Sequence, residues 1–265
     1  MSPQPKDYLV AFSQLLNGEK FEFEKRAADQ RVQDIAPYID TNKRLRVLDL
    51  ANGRLRPQYM LLQAEGHLVF GIDLINQPNS GWLGRGYEVG RWLYSRHVDW
   101  GNHATTGERL VCGDAGRLPF REGYFDLVSS VAAFEHFLNV PGVVGELWRV
   151  MRPGGVAWIG IHPFTSPSGG HNITATEIPL RNLPKGVEAW DHLRKRRVPL
   201  NVPLNEWRIE HYLAAFSKYF EIMKDYCVVR EGEHLLSPEI EAELAGYGRD
   251  ELTCMAYIIV ARKNA

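Results

Sequence analysis

The chain has 265 residues, of which 45% are hydrophobic and 24% are charged. These fractions are close to the averages of globular proteins, so they exclude a disordered chain and a fibrous repeat. The formal net charge is -1, which gives no overall field that would attract nucleic acid or an anionic membrane. Composition therefore favours a globular protein that acts on a small or neutral molecule.

The sequence carries no sign of a targeting segment or a disulfide framework. No apolar run approaches the roughly 20 residues needed to span a bilayer, and Met1 to Gln14 lacks the basic and then apolar order of a signal peptide. Cys112, Cys227 and Cys254 are odd in number and widely spaced, which argues against both disulfides and a zinc site. We therefore expect a cytoplasmic protein with buried, reduced thiols.

Strand-like and helix-like segments alternate along the first part of the chain. Apolar residues at helical spacing predict a helix over Glu19 to Ile39, and we interpret residues 1–44 as an N-terminal helical cap. Alternation of this kind is typical of parallel βαβ units. The predicted strands are Leu45–Leu50, Leu68–Asp73, Arg109–Cys112, Phe125–Ser130 and Gly155–Ile161, and the predicted helices between them are Pro57–Glu65, Val89–His97 and Pro141–Met151.

The last part of the chain holds an irregular segment and a β-rich end. Residues 163–205 are rich in Pro, Gly, Asn and His, and long loops of this kind commonly carry function. We interpret them as an insertion or lid on the substrate side of the site. A helix is predicted over Glu206 to Lys218, followed by strands in Phe220–Val229 and Thr253–Ala261. The whole chain, residues 1–265, is interpreted as one domain.

Short motifs lie where the predicted strands end. Asp49-Leu50-Ala51-Asn52-Gly53 closes the first strand with a tight turn, at which Gly53 would let a ligand approach the backbone closely. Asp73 ends the second strand, as does the acid that holds both ribose hydroxyls in nucleotide-binding α/β folds. Residues 113–126 read G-D-A-G-R-L-P-F-R-E-G-Y-F-D after the third strand.

Together these segments resemble the motifs of class I S-adenosylmethionine-dependent methyltransferases. Residues 47–55 resemble the family's V-L-D-x-G-x-G-x-G, with Ala51 and Leu55 in place of its first and third glycines. Residues 113–126 resemble G-D-A-x-x-L-P-F-x-x-x-x-F-D, residues 129–136 resemble S-S-x-x-x-x-E-H, and residues 146–155 resemble E-x-x-R-V-L-K-P-G-G. The resemblance covers about Val47 to Ile161 and comes nearest to small-molecule methyltransferases of the ubiquinone and natural-product type.

The resemblance implies a fold, a cofactor and a set of binding residues. The fold is a Rossmann-like, doubly wound α/β sheet of seven strands, mostly parallel with an antiparallel last strand. The cofactor is S-adenosyl-L-methionine. Asp73 would hold its ribose, Asp114 would accept a hydrogen bond from the adenine amino group, and the N–H of Ala115 would reach a ring nitrogen. The other residues expected around the cofactor are Asp49, Ala51, Asn52, Gly53, Leu74 and Val131.

Two histidines follow the fourth and fifth strands, where open parallel sheets place ligands. His136 and His162 are candidates for a catalytic base or for orienting a polar acceptor atom, and each could instead be a structural histidine. His171 is treated as a loop residue of the interpreted lid. No metal site is predicted, since the histidines lack H-x-x-x-H spacing and accompanying cysteines. The aromatic residues Phe134, Phe164 and Trp190 are expected to line the acceptor pocket.

The expected reaction is an in-line attack of an acceptor oxygen, nitrogen or carbon on the sulfonium methyl group, with release of S-adenosylhomocysteine. Catalysis then rests mostly on proximity and alignment. Two alternatives stay open. One is a methyltransferase-like binding or regulatory protein without turnover, which the substituted glycines suggest, and the other is a nicotinamide-dependent oxidoreductase, which Asp73 would also suit. We interpret the basic cluster at residues 194–197 as a solvated loop, not a nucleic-acid site.

Overall fold

A computed structural model describes residues 5–76, 81–101, 107–171, 188–200 and 202–264. Its helices are α1 (Pro5–Leu16), α2 (Glu19–Ile35), α3 (Pro57–Ala64), α4 (Trp82–Ser95), α5 (Val140–Val150), α6 (Asp191–Arg194), α7 (Ile209–Ser217), α8 (Pro238–Glu243) and α9 (Arg249–Leu252). Its strands are β1 (Arg46–Leu50), β2 (Leu68–Asp73), β3 (Leu110–Cys112), β4 (Phe125–Val131), β5 (Met151–Ile161), β6 (Phe220–Arg230) and β7 (Cys254–Lys263).

The strands of the described residues form one seven-stranded sheet in the order β3-β2-β1-β4-β5-β7-β6. Strands β1 to β5 pair in parallel, and β7 runs antiparallel to both of its neighbours, β5 and β6. The predicted Rossmann-like α/β sheet with an antiparallel last strand is therefore confirmed. The strand order reverses between β1 and β4, and ligands of such sheets bind outside the carboxyl ends of the strands at that point.

Apolar side chains cover both faces of the sheet. Val47 packs with Leu127 and Trp158 on one face, whereas Leu48 packs with Val128 and other buried residues on the opposite face. Successive residues of a strand point to opposite faces, so a strand buried on both faces reads as a continuous apolar run. This is the physical reason that β1 could be predicted from the sequence.

Several predicted boundaries are wrong, and the physical reason is clearest at the start of β5. It begins at Met151, because the Arg152-Pro153-Gly154-Gly155 stretch forms a bulge inside the strand. Gly154 has a φ of 71°, and a Cβ on Gly155 would lie 2.9 Å from the carbonyl oxygen of Arg152. The glycines therefore let β5 bend and resume pairing. Helix α1 was not predicted, α2 ends at Ile35, and α4 spans Trp82–Ser95.

Helix α2, within the predicted N-terminal cap, is attached to the sheet through the buried carboxylate of Asp34. That carboxylate accepts hydrogen bonds from Trp158 Nε1 at 3.0 Å, Lys224 Nζ at 2.6 Å and the Tyr226 hydroxyl at 2.7 Å. Burial on its own raises the pKa of Asp34, but these hydrogen bonds outweigh it and lower the pKa below its usual value. The charged form of Asp34 thus ties α2 to β5 and β6.

The three cysteines differ in their exposure to solvent. All three cysteines are free, but only Cys254 is buried, so the prediction of burial is wrong for Cys112, which is exposed.

Each basic side chain of residues 194–197 pairs with a glutamate: Glu188, Glu206 or Glu243. Within the described residues, no helix has the length and apolar character to cross a membrane.

Candidate functional site

The turn after β1 contains three residues in the left-handed backbone region. Ala51, Gly53 and Arg56 have φ values of 57°, 66° and 58°. A Cβ added at Gly53 would meet nothing within 4 Å, so the space beside it is open and only the backbone angle favours glycine there. Ala51 occupies a conformation that costs an L-residue with a side chain roughly 1–2 kcal/mol. The turn therefore keeps the backbone course of a glycine-rich loop despite the alanine.

The carboxylate of Asp73 lies against this turn. Its Oδ2 accepts a hydrogen bond from the Gly53 N–H at 2.9 Å, and its Oδ1 accepts one from the Ile75 N–H at 3.0 Å. Asn52 precedes Gly53 in this turn, and its Oδ1 accepts a hydrogen bond from Asn76 Nδ2 at 2.9 Å. The predicted cofactor residues Asn52, Gly53 and Asp73 are thus brought together at the carboxyl ends of β1 and β2.

Asp49 lies inside β1 and not at the open edge of the sheet. Its side chain is 2% exposed, and its Oδ2 has no hydrogen-bond partner among the described groups. Burial, which outweighs the nearby Arg31 charge, raises the pKa of Asp49 to about 8. The structure therefore places Asp49 beneath the turn, and its direct contact with a cofactor stays a prediction.

The remaining predicted cofactor residues surround the same edge. Asp114 is exposed, and its Oδ1 accepts a hydrogen bond from the Gly116 N–H at 2.8 Å. Ala115 beside it is buried, Val131 at the end of β4 is half-buried, and Leu74 is 64% exposed. Asp73 pairs in register with Cys112, so Asp73 and the loop that carries Asp114 follow neighbouring strands.

Three histidines meet at the carboxyl ends of β4 and β5. The ring of His171 lies 4.9 Å from that of His136 and 5.0 Å from that of His162, centroid to centroid. Desolvation and the neighbouring histidines lower the pKa of His162 to about 3 and that of His171 to about 4. Both rings are therefore neutral near pH 7. Both predicted catalytic residues lie in this cluster, together with a histidine that was interpreted only as a loop residue.

The turn that returns His171 to β5 depends on two glycines. Gly169 and Gly170 follow a series of tight turns after β5. A Cβ on Gly169 would overlap the carbonyl oxygen of Pro163, and one on Gly170 would lie 2.6 Å from the ring of His192. A larger residue at Gly169 would displace the backbone of Pro163 and Phe164, and one at Gly170 would displace the His192 side chain. The glycines thus permit the close approach of His171 to His162.

A hydrogen-bonded chain fixes the orientation of His162. Its Nε2 lies 2.8 Å from Ser168 Oγ, and the Ser168 hydroxyl donates to the buried carboxylate of Glu231. The Ser168 N–H also donates to that carboxylate, at 3.1 Å. Since the serine proton goes to Glu231, the hydroxyl oxygen accepts from His162, whose Nε2 then carries the hydrogen. This tautomer leaves the lone pair on His162 Nδ1.

Glu135 is a buried acid beside the histidines. Its side chain is 1% exposed, its Oε1 has no hydrogen-bond partner among the described groups, and its Oε2 accepts a long hydrogen bond of 3.5 Å from the His162 N–H. Burial raises the pKa of Glu135 to about 8. Its backbone is fixed, because the Asn205 N–H donates to the Glu135 carbonyl at 2.9 Å.

The expected aromatic wall of an acceptor pocket is wrong. Phe134, Phe164 and Trp190 are each at most 3% exposed. Trp190 Nε1 donates to the carbonyls of Thr165 and Leu252 at 3.0 Å and 3.1 Å, so this ring holds the segment after β5 against the end of α9. Of the interpreted lid, residues 172–187 and 201 lie outside the described residues, and its action as a lid stays a prediction.

Two members of this cluster, Glu135 and His171, were not predicted as site residues from the sequence. Glu135, His162 and His171 each offer one ligand atom, and these atoms lie within 4.8 Å of one another. The prediction of no metal site relied on spacing along the chain, whereas here the fold joins residues from three separate segments. The E-H pair at residues 135–136 and the S-G-G-H at residues 168–171 were the available signals.

Comparisons with known proteins agree with the motifs. A family described as a methyltransferase domain matches residues 90–159. A sterol 24-C-methyltransferase of Gibberella zeae is 25% identical over 210 residues, which are 77% of this chain and 46% of that protein. A demethylmenaquinone methyltransferase of Streptomyces avermitilis is 24% identical over 188 residues, which are 69% of this chain and 70% of the relative.

A solved structure extends the agreement to the fold. An S-adenosylmethionine-dependent methyltransferase of Mesorhizobium loti superimposes with a TM-score of 0.52 at 17% identity. The alignment covers 87% of this chain and 96% of that one. The chain spans about half the length of the Gibberella zeae relative.

Proposed function

We propose that the chain is a class I S-adenosylmethionine-dependent methyltransferase that transfers the methyl group of S-adenosyl-L-methionine to a small-molecule acceptor, as the matching methyltransferase domain and the named relatives support. Asp73 is the observation that carries this proposal. Its carboxylate is held by the Gly53 N–H beside an open stretch of backbone, at the edge where such sheets bind nucleotides. Ribose hydroxyls would replace or share those hydrogen bonds, with Asp114 at the adenine.

The acceptor site in this proposal is the histidine cluster beyond β4 and β5. The Nδ1–H of His136 donates to the Pro203 carbonyl at 3.1 Å, which leaves Nε2 as its basic nitrogen. His162 keeps a lone pair on Nδ1. Either nitrogen could take the proton of an acceptor hydroxyl or amine as that atom attacks the methyl group. The C–S bond then breaks, and its electron pair stays on sulfur in S-adenosylhomocysteine.

Two observations favour a small acceptor over a nucleic acid. The relatives are named for a sterol and for demethylmenaquinone, and the basic cluster at residues 194–197 is engaged in ion pairs. A polyanionic partner would require unpaired positive charge. We extend the proposal to a cytoplasmic location, supported by three free cysteines, since reduced thiols are usual there.

The test is a product screen. The chain is incubated with S-adenosylmethionine bearing a deuterated methyl group and with pools of neutral lipids, quinols and phenols, and mass spectrometry detects labelled products and S-adenosylhomocysteine. We expect a labelled acceptor in at least one pool. His136→Ala and His162→Ala should lower turnover but keep wild-type affinity for S-adenosylhomocysteine, because a base acts on the acceptor and not on the cofactor.

The second candidate function is a cofactor-binding protein without turnover, which the alanine at position 51 favours. It predicts tight S-adenosylhomocysteine binding with no labelled product in any pool. Wild-type turnover in both histidine variants would instead leave methyl transfer standing and remove the histidines from its mechanism.

A further inference from the structure

Glu135, His162 and His171 have the composition of a metal site. Two imidazoles and one carboxylate form the ligand set of several zinc and iron(II) sites, whereas magnesium and calcium prefer oxygen ligands. One ligand atom from each residue lies within 4.8 Å of the others. A single ion at ordinary bonding distances of roughly 2.0–2.2 Å could therefore contact all three after small side-chain rotations.

The carboxylate of Glu135 supplies a second, independent observation. Its side chain is 1% exposed, and its Oε1 has no hydrogen-bond partner among the described groups. A buried carboxylate normally pairs with a cation, coordinates a metal or becomes protonated, because an uncompensated charge in the interior is very costly. The groups beside it are the His162 and His171 rings and the His162 N–H. A divalent cation would compensate it directly.

His162 has the outer support that metal-binding histidines usually have. Its Nε2–H donates to Ser168 Oγ, which in turn donates to Glu231. Such a partner fixes the ring orientation, selects the tautomer and leaves the other nitrogen free to bind a metal. In this protein the selected nitrogen is Nδ1. Ser168 and Glu231 belong to no other part of the proposed transfer reaction, so this arrangement gives them a role.

From this geometry we propose that Glu135, His162 and His171 bind one divalent transition-metal ion of the zinc or iron(II) class. Three protein ligands leave at least one position open, as in catalytic zinc sites. The role of the ion rests on the proposed function: an acceptor hydroxyl bound at the open position would lose its proton more readily. Since His162 Nδ1 would then hold the ion, His136 Nε2 would be the base that takes that proton, and the acceptor oxygen would attack the methyl group with release of S-adenosylhomocysteine.

The site is tested by metal binding alone, without turnover. The full chain, free of any affinity tag and stripped with a chelator, is titrated with Co²⁺, followed by visible absorption and by competition with Zn²⁺. We expect one equivalent of Co²⁺ to bind. Glu135→Gln and His171→Ala should each weaken binding at least tenfold, and His234→Ala, which alters an exposed histidine elsewhere, should leave it unchanged.

Two neighbouring serines give a matched test of the outer support. Ser168→Ala removes the hydroxyl that bonds His162 and should weaken Co²⁺ binding by about 10–100-fold. Ser166→Ala removes a buried hydroxyl on the same turn with no partner among the described groups, and should have no effect. Equal effects of the two changes would contradict the role given to Ser168.

For every variant, the melting transition without ligand measures folding. The rise in melting temperature caused by S-adenosylhomocysteine measures cofactor binding. Absence of saturable Co²⁺ binding by the wild-type chain, or equal binding by the wild type and a folded His171→Ala variant, overturns the metal site. If Co²⁺ binds as expected while S-adenosylhomocysteine does not, the metal site stands and the proposed function falls. If S-adenosylhomocysteine binds and Co²⁺ does not, the metal site falls and the proposed function stands.

Discussion

The Gly53 N–H donates a hydrogen bond of 2.9 Å to the carboxylate of Asp73. This contact joins the turn after β1 to the end of β2 and places a charged acceptor beside open backbone. The proposed ribose site depends on this contact.

Asp73 should contribute directly to cofactor affinity. Asp73→Ala leaves the ribose hydroxyls without a charged acceptor, and we expect S-adenosylhomocysteine binding to weaken by about 1–3 kcal/mol. Calorimetric titration measures the change. Asp99→Ala, at an exposed position on the loop after α4, is the control and should bind as the wild type does. Unchanged affinity in a folded Asp73→Ala variant would refute the ribose assignment.

Asp114 should select adenine. Its Oδ1 accepts the Gly116 N–H at 2.8 Å, and asparagine keeps an oxygen for this turn while replacing the second oxygen by a donor. Asp114→Asn should therefore leave the melting temperature unchanged and weaken cofactor binding about tenfold, the size of one hydrogen bond to a charged group. Equal affinity in the variant would show that Asp114 does not contact adenine.

Ala51→Gly should stabilise the chain. Ala51 has a φ of 57°, and glycine removes the steric cost of the left-handed conformation. We expect a gain of about 1 kcal/mol, or about 2–4 °C in melting temperature for a domain of this size. The matched control is Ala214→Gly at an exposed position of α7, which should destabilise by roughly 1 kcal/mol. If Ala51→Gly destabilised the chain as Ala214→Gly does, the backbone strain assigned to Ala51 would be contradicted.

Acid stability should depend on Asp34. Because its pKa is lowered in the folded state, its contribution to stability is present above the unfolded pKa of roughly 4 and is lost as the pH falls through the folded pKa. Asp34→Asn should cost about 1–3 kcal/mol at pH 7. Urea unfolding at a series of pH values measures the free energy of unfolding, which should fall less in acid for the variant than for the wild type. The same dependence on pH in both proteins would count against this role of Asp34.

The sequence predicted the parallel half of the sheet because the strands are buried on both faces. Val47, Leu48 and Leu50 are fully buried in the sheet, and the acid at the end of β2 marked the ligand edge. The bulge in β5 could not be predicted, since proline and two glycines ordinarily end an element. Its position depends on pairing with β4, which is a tertiary constraint.

The candidate site was predicted only in part. Asn52 and Gly53 follow β1 and Asp73 ends β2, each in a short motif, so local reasoning found them. The cluster of Glu135, His162 and His171 forms only when the turn after β5 folds back. Trp190 misled the prediction because an aromatic residue in an irregular segment can line a pocket or fill a small core, and here it fills a core with Leu244 and Leu252.

Calorimetric titration with S-adenosylhomocysteine and, separately, with NAD decides whether the chain binds the methyltransferase cofactor. Only a ligand that binds the folded state will also stabilise it, so a thermal melt of the same samples checks the result. We expect saturable binding of one S-adenosylhomocysteine per chain and no binding of NAD. Binding of NAD with no binding of S-adenosylhomocysteine would contradict it.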